Sequence, residues 1–199
     1  MEAHEIIHEF WFGSDPNDAV VAQKKSNLWW AKKSENDQEI QRRFGMYVDM
    51  AARSELDGWI KSAGSMLALI LLTDQFPRNI FRNTPKAFEF DSLAQELCLS
   101  GIKQGMDKTL RPIERVFFYL PLEHAESTEH QEQSVQLYTK LFQEVPANQM
   151  DQFRGYLTFA LRHRSIIARF GRFPHRNVIL NRESTPEEAA FLQEPGSSF

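Results

Sequence analysis

One cysteine, Cys98, stands in a chain of 199 residues, so no intramolecular disulfide can form and a reducing compartment is expected. It follows Leu93 and Leu97, where a small buried hydrophobe is the plain reading. Long apolar runs are missing as well. The longest, residues 66–72, falls far short of a bilayer span. The start, Met1, Glu2, Ala3, His4 and Glu5, lacks the basic stretch of a secretory signal. Together these absences predict a cytoplasmic protein with no membrane partner. A basic excess is absent too: the net charge is −4, which argues against a nucleic-acid partner. There is no Cys-x-x-Cys, His-Glu-x-x-His or EF-hand spacing, so no metal site is expected. Glycine-rich phosphate loops and Gly-x-Ser-x-Gly are absent, which leaves no cofactor fingerprint and no signposted nucleophile. Strand alternation and Asn-Gly or Asp-Gly hairpin signals are also lacking.

What is present is helical periodicity. Hydrophobic content of 42% and charged content of 25% are ordinary globular values, and sixteen Phe and four Trp provide large apolar surfaces. Ile6, Ile7, Phe10 and Trp11 form a stripe that Gly13 stops. Residues 14–34 read as irregular, with Trp29 and Trp30 exposed. Further helices are predicted at about 36–53, 65–75, 85–105, 129–144 and 148–170, with another opened by Pro112 and a last short one by Thr185-Pro186. Pro77 is expected to end the buried 65–75 helix, and Pro121 to kink or stop its own. These spacings predict a single all-α domain over residues 1–199, with about seven or eight helices stacked as antiparallel pairs.

Two stretches share one wording. Residues 74–85 contain Phe76-Pro77, Arg78-Asn79, Arg82 and Thr84-Pro85; residues 173–186 contain Phe173-Pro174, Arg176-Asn177, Arg182 and Thr185-Pro186. The second lies in a basic segment, Arg162 to Arg182, with six arginines, two histidines and no carboxylate. Guanidinium forks match carboxylates and phosphates. Arg78, Arg82, Arg172 and Arg176 are therefore candidates to hold an anion, with Asn79 and Asn177 orienting it. The architectural alternative stays open: Asp74, Glu114, Glu123 and Glu126 could take these arginines internally. Of the histidines, His163 shares a helical face with Tyr156, Phe159, Ile166 and Phe170 and should point inward. His124 follows a helix break, where a side chain can face a cleft. His175 sits among arginines that should lower its pKa and keep it neutral, so it is counted with the ligand-binding residues and could act as a general base. Glu123, His124 and His163 are the acid/base candidates.

The strings Leu69-Ile-Leu-Leu-Thr-Asp-Gln-Phe-Pro-Arg-Asn-Ile-Phe-Arg82, Glu114-Arg-Val-Phe-Phe-Tyr-Leu-Pro-Leu-Glu-His124, Arg162-His-Arg164 and Arg169-Phe-Gly-Arg-Phe-Pro-His-Arg-Asn177 resemble a large bacterial family known as a domain of unknown function, of the nine-two-four type. The stretch from Arg182 to Glu188, the amino-terminal Phe10-Trp-Phe-Gly13 and the tail from Glu194 to Phe199 match it in order as well. The resemblance implies a tetratricopeptide-like α–α superhelix and brings no reaction or catalytic residue with it. Position 83 is Asn where the family commonly has Gly, so this turn is expected to sit less freely.

The expected function is binding of a small anionic molecule in an Arg/Asn/His-lined pocket. The alternatives are a helical scaffold that clamps an acidic peptide or a C-terminus, and an internal role in which the Phe199 carboxylate docks beside the arginines.

Overall fold

The computed structural model describes residues 2–198. Among them the regular structure is helical, with no strand. The helices are α1 (Ala3–Phe12), α2 (Asp18–Trp30), α3 (Ser34–Ala52), α4 (Ala63–Ile70), α5 (Phe76–Ile80), α6 (Asp91–Lys103), α7 (Pro112–Glu123), α8 (Thr128–Glu144), α9 (Met150–Phe170) and α10 (Pro186–Phe191). Short 3-10 turns join several of them. A π-helical segment, Leu71–Gln75, links α4 to α5 and makes one continuous rod.

That rod is the centre of the molecule. Met66 to Leu72 are each buried, because helices pack around the rod on every side and leave no polar face. Helices α1, α6 and α7 pack on α4, while α3 packs on α5. Carboxy-terminally, α7, α8 and α9 stack in succession, and their short connections make neighbours antiparallel. One hydrophobic cluster runs from Ile7 on α1 to Ala160 on α9. A smaller one, Ile166, Ile167 and Phe173 with Phe170 and Phe191, sits under the carboxy-terminal loops.

Four sequence expectations are corrected. Residues 14–34 are not irregular. They contain α2, whose N-cap Asn17 accepts hydrogen bonds from the amides of Ala19 and Val20 at 3.0 and 3.3 Å. Its apolar residues do not line one face, so periodicity gives no signal. Trp29 is buried, with its indole N–H donated to the Trp11 carbonyl at 3.0 Å, whereas Trp30 is half exposed and stacked on Phe117. Pro77 does not end the central helix but lies in the first turn of α5. A proline ring clashes with the carbonyl four residues back in a regular helix, and the wider π turn moves that carbonyl away. The helix expected over 85–105 is a 3-10 turn, Pro85–Phe88, followed by α6, and the Thr84 hydroxyl donates back to the Phe81 carbonyl at 2.7 Å instead of capping it. Asn83 adopts φ 62°, the left-handed conformation for which Gly is best suited and Asn is tolerated.

Candidate functional site

The first motif enters the site from the π segment. Asp74 is completely buried there. Its Oδ1 lies 2.8 Å from Nδ1 of His124 and 3.2 Å from Nη1 of Arg78, and the Gln75 amide donates to Oδ2 at 2.6 Å. Arg78, one turn further on, reaches across to both oxygens of Asp91, at 2.9 and 3.0 Å. The second motif arrives at the same carboxylate: Nη1 of Arg176 lies 3.5 Å from Asp91, and Nη2 donates to the His124 carbonyl at 3.0 Å. The Arg176 guanidinium rests over the rings of Phe173 and Phe88, 4.5 and 4.7 Å from their centroids.

His124 is the C-cap of α7, directly after Glu123, and Pro121 lies in the helix's last turn. Freed carbonyls at that end are collected by one side chain: the buried Gln131 amide donates to the carbonyls of Glu123 and Ala125 at 2.6 and 2.9 Å. This fixes the backbone that carries the imidazole. The ring borders an open cleft of about 600 Å³ with Lys86, Phe88, Asp91, Glu126 and Arg176. Since Asp74 takes Nδ1, Nε2 is the nitrogen left for the cleft, and it meets no hydrogen-bond partner among the described residues.

Burial lowers the His124 pKa first of all; Asp74 opposes this and Arg78 and Arg176 add to it, and the net direction is downward, toward the neutral ring. Burial works against the Asp74 carboxylate, yet Arg78 and then His124 hold it well below the usual range. Arg176 is lowered to about 10, chiefly by burial and then by Arg78, and remains a cation. Behind this layer, Oε1 of Glu123 lies 3.1 Å from Nδ1 of His163. The spacing would suit an ion pair, but burial opposes charge on both groups. Glu123 is pushed up to about 8 and His163 down to about 3, so the pair is a protonated carboxyl beside a neutral imidazole. His175 is lowered to about 4, by burial more than by its arginine neighbour.

The site residues expected from sequence therefore divide. Arg78, Arg176 and His124 converge, with the His163 ring 6.1 Å from that of His124. Glu123 and His163 lie deeper, and the cleft wall does not include them. Asn79 and Arg82 turn away to Asp37 at the start of α3, with Arg82 making a two-pronged contact at 2.7 Å. Arg172 and Asn177 bond Glu188 on α10. The His175 ring packs 5.7 Å from Phe173. Internal carboxylates take much of the basic segment: Arg182 grips Glu126 at 2.6 and 2.9 Å, and Arg164 and Arg169 meet Glu132 and Glu187. Glu114 pairs instead with His8. Docking of Phe199 lies outside the described residues; Arg162 holds the tail through the Gly196 carbonyl at 3.1 Å.

Sequence reasoning gave Asp74 no role at the imidazole and missed Asp91, Lys86 and Phe88 altogether. Asp74 carried a usable signal, the i,i+4 spacing to Arg78. Asp91 carried none, because its partners come from α5 and from the distant second motif.

Three-dimensional comparison finds a match in a protein of unknown function from Agrobacterium tumefaciens, 40% identical, covering 89% of this chain and 99% of that one with a TM-score of 0.75. No curated protein matches the chain. No helix among the described residues is long and apolar enough to cross a membrane. Residues 7–196 match the family described as "Bacterial protein of unknown function (DUF924)". With nearly its whole length matched and a solved relative at this identity, the chain belongs to the bacterial DUF924 family.

Proposed function

We propose that the cleft beside His124 binds a small molecule carrying an anionic group, a carboxylate or phosphate, through Arg176. One observation carries this reading. Arg176 lines the cleft and is only 6% exposed, yet its hydrogen bonding is incomplete: the buried Nε meets no partner among the described residues, and Nη1 approaches Asp91 at a loose 3.5 Å. A buried guanidinium with spare donors gains by meeting an anion. Asp74 and Asp91 balance Arg78 and Arg176 in charge, and Glu89 and Lys86 both line the cleft. Recognition thus rests on directed donors and not on a net field. A cleft of about 600 Å³ is of small-molecule size, which supports this ligand over an acidic peptide.

Thermal stabilisation by malonate or inorganic phosphate tests the proposal. The wild-type protein should gain a saturable shift in Tm, and Arg176→Ala should lose it while remaining folded. An equal shift in both proteins would reject the assignment.

A further inference from the structure

We infer that the cleft is a hydrolytic site in which His124 acts as general base and Asp74 positions it, the substrate being a small acyl ester with an anionic end. This rests on the anion-binding reading above and extends it to a reaction. Asp74 holds Nδ1 of His124 at 2.8 Å, which fixes the tautomer with the proton on Nδ1 and leaves the Nε2 lone pair toward the cleft. The carboxylate is sealed at zero exposure and anchored by Arg78 and Gln75, so it can stabilise an imidazolium without drifting. The sealing and the geometry are those of an acid/base pair, a side chain turned to the cleft and oriented from behind.

Among the described residues the cleft wall supplies no hydroxyl or thiol for the base to activate. Ser134 and Cys98 are fully buried and are not part of that wall. The proton must then come from substrate or water. An open cleft admits water, whereas a site that forms a carbanion is better served by excluding it. Water activation follows. Nε2 takes one proton from water as its oxygen bonds to the ester carbonyl carbon, and the carbonyl π pair moves onto oxygen. When that pair returns, the C–O bond to the leaving group breaks, and the imidazolium gives its proton to the departing oxygen. Water and ester become acid and alcohol, with no other co-reactant.

Hydrolysis of 4-nitrophenyl hydrogen glutarate, an anionic activated ester, tests the inference. The wild-type protein should release nitrophenolate faster than an equal concentration of imidazole, and His124→Gln should reduce kcat by about two orders of magnitude. Asp74→Asn should lower kcat and leave KM in place, a split that a loosened fold would not give. Malonate stabilisation measured on His124→Gln separates the two claims. Retained binding with lost hydrolysis supports both readings. Wild-type hydrolysis no better than imidazole, or unchanged in His124→Gln, would overturn the base assignment while leaving anion binding standing. Loss of malonate binding from Arg176→Ala with an unchanged KM for the ester would place hydrolysis outside this cleft and overturn the inference as well.

Discussion

Asp74, Glu123 and Glu188 show how one functional group, the carboxyl, is set to three different purposes by its surroundings. Glu188 is held down to about 2, first by its hydrogen bonds to Arg172 and then by the Thr185 backbone. A depressed pKa stabilises the fold above the ordinary carboxylate value of 4.5 and loses that contribution as pH falls toward about 2. Melting temperature should therefore drop across that acid window, and Glu188→Gln should flatten the drop; an unchanged slope would show that the contact carries no linkage. Glu123 works the opposite way. Its pKa of about 8 is raised by burial, so its contribution is complete below 4.5 and is lost as pH rises through 8. Glu123→Gln should remove the decline in stability between those values. Retention of that decline would mean that another group causes it. The arginine motifs were legible in sequence as a pair, and Arg78 and Arg176 do converge. Their shared anchor Asp91 was not legible, since it lies thirteen positions from one and further from the other.

At the scale of elements, the two motif loops are built differently. The first runs from the π segment into α5, so that Asp74 on one and Arg78 on the other meet one turn apart; the second follows Gly171, whose φ of 69° ends α9. Gly171→Ala forces a side chain into the left-handed region and should cost about 1–2 kcal/mol by denaturant unfolding, with no change if the end of α9 simply rearranges. Close packing of α6 on α4 and α7 passes through another glycine. A Cβ at Gly101 would lie 2.4 Å from the Phe118 ring and 2.6 Å from the Met66 sulfur. Gly101→Ala should destabilise by about 1–3 kcal/mol, because the Phe118 ring and Met66 are themselves fully buried and have little room to move. A neutral result would mean the helix can shift. Long, clearly striped helices such as α3, α8 and α9 were legible from apolar spacing. The α2 helix and the π turn were not. The first has no apolar stripe, and the second depends on wrapping that lets Pro77 remain inside a continuous rod.

For the whole molecule, the main cluster links α1 to α9 around one central rod. That continuity predicts one cooperative thermal transition, and two separated heat-absorption peaks would contradict it. The same rod joins fold to site, since the segment that fills the core also sets Asp74 against His124. A molecule assembled in this way exposes little of its cluster of buried histidines and carboxyls. The imidazole of His124 borders the cleft and the rest is sealed behind it.

The most direct measurement is therefore made on that ring. In protein labelled with 15N-histidine, the His124 Nε2 resonance, identified by its absence from His124→Gln, should move saturably as inorganic phosphate or malonate is added. It should stay in place in Arg176→Ala. An unmoved resonance at saturating anion, or the same movement without Arg176, would contradict the central claim that this cleft receives an anionic ligand beside an oriented histidine.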